Sequence, residues 1–348
     1  MDKLLIIDRI QFGFLTDTLK YCEHLAGKYK ISYICFDRKS SKTVVEGVNV
    51  IYVPYTSVKI LNGFLFLFYS ILFSIILGGK IFVVYFPNCA YIKRILFWKK
   101  INVDIRTLSV EKDAEVRKQF DEKLKREIQY FDSYSYISHG VNDKLNISNK
   151  ASFYLPLGSD IISVENKVFS KMNLLYVGTL HNRNIIDTVI GVHGFLKENP
   201  NVELHYDIIG DGEGLDQIKN YISENKLDGV VVAHGRKSYA ELKPYFDKCN
   251  IGVSYVPIVD WFDVQPPTKT YEYILSGLFT IATATSSNKE CITNDNGILI
   301  NDNPLSFAKA LSIIQKDKQK YNSRIIRESL IDFRWSNIIK KYFLPIIS

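Results

Sequence analysis

Lys269 and Glu272 stand three residues apart in Pro266-Pro267-Thr268-Lys269-Thr270-Tyr271-Glu272-Tyr273. On a helix, that spacing puts both side chains on one face within the first turn. The two prolines bar helix before Thr268, because each fixes φ and lacks a donor N–H. Thr268 is then a candidate N-cap and Gly277 a candidate stop. A cation, a carboxylate and free backbone N–H groups would meet at one helix N-terminus. That chemistry suits a diphosphate beside a ribose: Lys269 and the N-terminus take phosphate oxygens, and Glu272 accepts from ribose hydroxyls. A surface ion pair on a well-started helix is the competing reading.

Four more loops of the same half carry polar or charged residues, three of them with glycine. They are Gly178-Thr179-Leu180-His181-Asn182-Arg183-Asn184, Gly210-Asp211-Gly212-Glu213-Gly214, His234-Gly235-Arg236-Lys237 and the loop 255–265 from Tyr255. Each follows an apolar run that reads as a strand: 172–177, 202–209, 230–233 and 251–255. The second loop falls short of GxGxxG, because Leu215 stands where the third glycine belongs, so it is a poor dinucleotide fingerprint. Phe279 to Ala282 gives a further buried strand. In a doubly wound sheet, loops after the strands share one edge, so all five segments should line one cleft.

At 348 residues the chain is long enough for two domains of ordinary size, of which these loops occupy one. The apolar fraction of 47% and charged fraction of 23% are globular values. Five scattered cysteines with no CxxC, and six histidines with no HExxH, argue against a disulfide framework and a zinc site. The opening residues pass straight into a strand-like run, with no secretory signal pattern. Strand, Gly13 loop, helix to Leu25, then strands at 31–36 and 48–53 make a doubly wound opening. Its first loop lies at the ligand edge of the sheet, so Gly13, Thr16, Asp17 and, after a later strand, Asn88 are candidates for the acceptor side. A tight turn and a helix cap explain the first three equally well.

The charge is uneven. Residues 1–166 hold 23 Lys and Arg against 17 Asp and Glu, a net of +6, whereas residues 167–348 hold 21 against 20. No nucleic-acid-reading module is present, so the basic half points to an anionic membrane surface instead. Residues 60–77 carry no charge over 18 residues, the length of a membrane span. Their place between two strand-like runs favours a buried or membrane-touching crossover helix. Residues 91–100 mix Lys93, Arg94, Lys99 and Lys100 with Phe97 and Trp98, the composition of an interfacial helix. A crossover helix with a solvated basic face is the alternative.

Taken together, Tyr176-Val177-Gly178-Thr179-Leu180, Ile208-Ile209-Gly210-Asp211-Gly212, His234-Gly235, Pro267-Thr268-Lys269 with Glu272-Tyr273, Ser276-Gly277 and Asn296-Gly297 resemble the retaining glycosyltransferases of family 4. Pro156-Leu157-Gly158-Ser159-Asp160 is similar to the interdomain turn of that family. The resemblance spans residues 152–315 in order and spacing, while the first half matches as architecture only. It implies an α/β GT-B fold of two facing doubly wound, Rossmann-like domains with a cleft between them. The expected parts are an acceptor domain over 1–162, a nucleotide-sugar domain over 163–330, and a closing helix over 331–348 packed back across the hinge.

By the same resemblance, Lys269 and Arg183 would stabilise the departing diphosphate and Glu272 would bind the ribose. Gly178, Thr179, Asn182, Gly210, Asp211, Gly212, His234, Gly235, Arg236, Lys237, Tyr255, Thr268, Thr270 and Tyr271 would complete the donor site. No cofactor or metal is implied beyond the nucleotide-diphosphate sugar itself. The partners implied are that donor and a glycan or lipid-linked sugar acceptor, at the inner face of the cytoplasmic membrane, in capsule, lipopolysaccharide or exopolysaccharide assembly. Two positions depart from the pattern. Val264 stands where the family often has an acid, with Asp263 and Asp260 nearby, and Arg106-Thr107-Leu108-Ser109 replaces a region that often holds a histidine. A non-catalytic scaffold, a nucleotide-sugar epimerase on the same fold and an integral membrane protein are the alternative readings.

Overall fold

A computed structural model describes all 348 residues. The chain divides into two compact units, Met1–Leu157 with Trp335–Ser348, and Gly158–Arg334. The division falls a few residues before the boundary expected at 162/163. The last residues belong with the first unit because Trp335 is buried and lies edge-on to Tyr21, while Phe343 stacks on the same ring at 4.2 Å.

The first unit is a seven-stranded parallel sheet of β1 (Asp2–Ile7), β2 (Tyr29–Asp37), β3 (Val48–Pro54), β4 (Lys80–Val84), β5 (Ile101–Ile105), β6 (Ser133–Tyr136) and β7 (Ala151–Tyr154), in the order 3-2-1-4-5-6-7. Its helices include α1 (Thr16–Leu25), α2 (Lys59–Leu77), α3 (Ala90–Ile95), α4 (Ala114–Ile128) and α5 (His139–Leu145). The second unit is a six-stranded parallel sheet of β8 (Met172–Val177), β9 (Leu204–Ile209), β10 (Val231–Gly235), β11 (Ile251–Ser254), β12 (Phe279–Thr283) and β13 (Gly297–Ile300), in the order 10-9-8-11-12-13. Helices α6 (Ile186–Glu198), α7 (Gly214–Glu224), α8 (Lys243–Lys248), α9 (Asp260–Asp263) and α10 (Thr268–Leu275) follow its strands. Central strands such as Leu4–Ile7 and Phe279–Thr283 are buried residue by residue, as parallel strands covered on both faces must be.

In both sheets the order reverses beside the first strand of the unit, between β1 and β4 and between β8 and β11. The loops leaving the carboxyl ends of those pairs diverge there and open a crevice. The main cavity of each unit lies at that place.

α2 is built inside out for a soluble helix. Its buried positions are Asn62, Phe66, Ser70 and Ser74, and its exposed ones include Ile60, Phe64, Phe68, Leu72 and Ile76. Both sets repeat at about four residues, so each forms one face. The inner hydroxyls are satisfied within the helix, Ser70 Oγ donating to the Phe66 carbonyl at 2.7 Å and Ser74 Oγ to that of Ser70 at 2.6 Å. α2 is long and apolar enough to cross a membrane by length and composition, yet only 22% of that window is buried.

Candidate functional site

In the second unit, α10 is pinned across the switch point by Tyr273. This fully buried ring packs with Leu175, Phe246 and Leu278, and its hydroxyl accepts the Val177 N–H at 2.7 Å. The helix starts at Thr268 with Pro267 as its N-cap and no side-chain cap, so Thr268 is the first helical residue and not the cap expected of it. One turn in, Lys269 and Glu272 face the same cavity of about 440 Å³, with Gly178, Thr179, Arg183 and Thr268. They do not form the surface ion pair of the competing reading. Lys269 Nζ instead sits 3.9 Å from the centroid of the buried Tyr176 ring.

The electrostatics of this recess are unbalanced. Burial pushes the Lys269 ammonium down to about 7, with Arg183 adding repulsion and Glu272 opposing the shift. Burial likewise pushes Glu272 up to about 7, reinforced by Asp160 and opposed by Lys269. Burial also lowers Arg183, whose guanidinium rests 4.0 Å from the Phe262 centroid. Two desolvated cations beside free N–H groups at a helix start will favour a multiply charged anion. The sign of the linkage follows. A diphosphate bound here would restore the Lys269 proton, so its binding should take up close to one proton at pH 8 and weaken as pH rises above 7. Calorimetry in buffers of different ionisation enthalpy should read that uptake in the wild type and its loss in Lys269→Ala. Equal heats in all buffers would refute it.

Glycines bring backbone close to the recess. Gly178 has φ +148°, and a Cβ there would lie 3.2 Å from Lys269 Nζ. A Cβ on Gly210 would lie 1.9 Å from the Gly178 carbonyl oxygen, so the loops after β8 and β9 can be this close only with glycine. An adjoining cavity of about 340 Å³ shares Gly178 and Thr179 and adds Gly210, Asp211, Arg236 and Lys237. A third, of about 370 Å³, holds Asn182 and shares Arg183. Gly212 and Gly235, both at positive φ, shape the loops rather than line these spaces.

Four expected donor residues point elsewhere. Tyr255 is buried with its hydroxyl on Asp187 at 2.8 Å. Thr270 is buried between Ser254 and Asn288 at 2.6 and 3.0 Å. Tyr271 is buried against Phe333. His234 Nε2 lies 2.7 Å from the buried Asp207 carboxylate and lines none of the three cavities. The physical reason for the two α10 positions is helical rotation: residues one and two steps beyond Lys269 turn toward the sheet. Val264 is buried, and Asp263 accepts from the Ser286 N–H and hydroxyl at 2.9 and 2.5 Å, which commits it to the start of the short helix Ser286–Lys289.

In the first unit the acceptor-side candidates scatter. Asp17 is buried in an ion pair with Arg106 at 2.5 Å. The Asn88 side-chain carbonyl accepts from Lys123 at 2.9 Å, Gly13 packs on Thr43, and Thr16 is exposed on the first turn of α1. None lines the cavity of this unit, which opens at the β1–β4 switch point between Asp8, Arg9, Arg38, Tyr55, Lys59 and Arg106. Sequence reasoning missed Arg9 and Arg38. The available signal was a cation within two residues of the end of β1 and directly after β2.

Among the basic residues 91–100, Lys93 is not outward. α3 is only six residues long, and Lys93 is buried against Asp132 at 2.8 Å and the carbonyls of Phe97 and Lys99. Arg94, Phe97, Trp98 and Lys100 are exposed, and Lys99 is half-buried.

The two units also have counterparts among known proteins. Residues 171–317 match the family described as glycosyl transferases group 1. No curated protein sequence matches the chain. Among solved structures, sucrose-phosphate synthase from Thermosynechococcus elongatus aligns at TM-score 0.77 and 14% identity, over 98% of this chain and 97% of that one. The lipopolysaccharide outer core galactosyltransferase WaaB aligns at 0.74 and 16%, over 100% and 99%. HepE from Anabaena, solved with UDP and glucose, aligns at 0.73 and 10%, over 98% of each chain. At these identities the structural likeness speaks for the fold. The matched domain speaks for the chemistry: the chain carries a glycosyl transferases group 1 domain in an α/β fold of the GT-B kind, and it is a glycosyltransferase.

Proposed function

We propose that the protein moves a sugar from a nucleotide-diphosphate sugar, held by the second unit, to a hydroxyl of a glycan or lipid-linked acceptor, held by the first. The convergence of Lys269, Arg183, Glu272 and the Gly178 loop on one recess carries this reading. As the glycosidic bond to the donor breaks, negative charge builds on the departing diphosphate. Lys269, Arg183 and the N-terminus of α10 are already in place to meet it, which is the preorganised stabilisation such a step needs. Glu272 then serves the ribose as a hydrogen-bond acceptor. Retention at the anomeric carbon is the course that the family resemblance supports.

UDP and UDP-glucose occupy HepE in its solved complexes. A uridine nucleotide is accordingly the first candidate here. Thermal denaturation with UDP-, GDP-, ADP- and CMP-sugars tests the reading, since a ligand at 100 times its Kd adds about 2.7 kcal/mol to the native state. One nucleotide series should raise Tm by several degrees. No shift with any of them at millimolar concentration would sink the proposal.

The place of action belongs to the same proposal: the inner face of the cytoplasmic membrane, in bacterial cell-surface polysaccharide assembly. Two observations support it. α2 exposes a face of Phe, Ile and Leu, and the chain from residue 47 to residue 103 has six Lys and Arg and no Asp or Glu. An apolar face within an all-basic stretch fits anionic lipid.

A further inference from the structure

The cavity of the first unit, of about 620 Å³, is walled by four cations: Arg9, Arg38, Lys59 and Arg106. They are not equivalent. Arg106 is neutralised by Asp17 at 2.5 Å, with Asp104 at 3.7 Å. Arg9 and Arg38 have no carboxylate partner and rest on aromatic rings instead. The Arg9 guanidinium lies 5.3, 5.8 and 5.2 Å from the centroids of Phe36, Phe66 and Phe86. That of Arg38 lies 3.8 Å from Tyr55 and 5.4 Å from the same Phe36 ring.

Ring faces hold a guanidinium in place without cancelling its charge, so the N–H edges stay available for a bidentate partner. Sharing Phe36 keeps the two cations together, and burial followed by repulsion from Arg38 pushes Arg9 below its ordinary value. Such a pair is unfavourable until an anion joins it. Lys59 opens α2 on the same wall and adds the positive end of that 19-residue helix. The one carboxyl on the wall is Asp8. It is occupied by the Tyr33 hydroxyl at 2.8 Å and the Ile10 N–H at 2.9 Å, and burial pushes it up to about 6.

We propose that this cavity binds a phosphate or diphosphate group of the acceptor, with Arg9 and Arg38 gripping its oxygens. The word acceptor rests on the transfer reaction proposed above, whereas the anion site itself does not. A soluble sugar phosphate and a lipid-linked diphosphate offer the same oxygens, and the two are separable by experiment.

Calorimetric titration of the full chain with glucose 6-phosphate and with farnesyl diphosphate tests the site. The wild type should bind at least one of them at micromolar to millimolar Kd. Arg38→Gln, at an exposed side chain, should weaken binding about 10-fold, and Arg9→Gln with Arg38→Gln about 100-fold. Lys269→Ala should leave both titrations unchanged. Preference for farnesyl diphosphate assigns the phosphate to a lipid carrier, and preference for glucose 6-phosphate to a soluble sugar. Failure of the wild type to bind either, equal binding in Arg38→Gln, or loss confined to Lys269→Ala would overturn the proposal. Should the double variant unfold, Arg38→Gln alone decides. The nucleotide-sugar melting series reads the donor site independently, so its failure would remove the transfer reading and leave this result standing.

Discussion

Lys269→Ala should lower kcat/KM about 100-fold, or ~2.7 kcal/mol at the transition state, without loss of fold. The expectation rests on where the charge sits. Lys269 Nζ lies in a half-buried recess over Tyr176, where removal of water makes each cation count for more against developing phosphate charge. Folding should survive because α10 is held by Tyr273, one turn beyond Lys269, and because burial already disfavours the Lys269 ammonium. The melting temperature of the variant should therefore match the wild type or exceed it at neutral pH. Lys269→Arg should recover only part of the rate, since Gly178 and Tyr176 leave little room for a planar guanidinium. Near-wild-type transfer by Lys269→Ala would remove this residue from the chemistry.

The second large effect concerns lipid. Changing Phe64, Phe68 and Ile76 to Ser should reduce sedimentation with anionic liposomes more than 100-fold, because each side chain is worth about 1.5 kcal/mol or more on leaving water. All three are more than half exposed, so the fold loses little. Changing Arg94, Lys99 and Lys100 to Glu should remove the preference for anionic over neutral lipid, at about 1 kcal/mol per cation. Lys93 stays out of that set because its charge is spent on Asp132. Release of the wild type by carbonate would identify a peripheral protein, and retention would identify a spanning one. Unchanged sedimentation of both variants would count against membrane contact.

Much of the second unit was legible in its sequence because its functional loops follow apolar strands and three of them carry glycine. Backbone that must approach a ligand or another loop excludes side chains, and that exclusion is written directly as Gly178 and Gly210. The spacing of Lys269 and Glu272 gave their shared face, and the same helical rotation could have turned Thr270 and Tyr271 away from it. The first unit was legible as strands and helices but not as a site. Asp17 and Arg106 are 89 residues apart in the chain and meet only once folding brings the residue after β5 to the first turn of α1. Lys93 and Asp132, 39 residues apart, are hidden from composition in the same way. Arg9 and Arg38 are hidden because no turn-forming residue marks them: Arg9 owes its place to Phe36, Phe66 and Phe86, and Arg38 to Tyr55 and Phe36, from separate parts of the chain.

The inverted α2 has a consequence for how this chain can vary. Its inner row, Asn62, Phe66, Ser70 and Ser74, is constrained in size and hydrogen bonding, since Asn62 is tied to Thr56 and Phe66 supports Arg9. Its outer row has only to remain greasy. Descendants of this sequence can therefore exchange Phe, Leu, Ile and Met freely at positions 60, 64, 68, 72 and 76 while holding 62, 66, 70 and 74 nearly fixed. Drift would then run in the opposite sense to that of an ordinary soluble helix, where the apolar row is the conservative one.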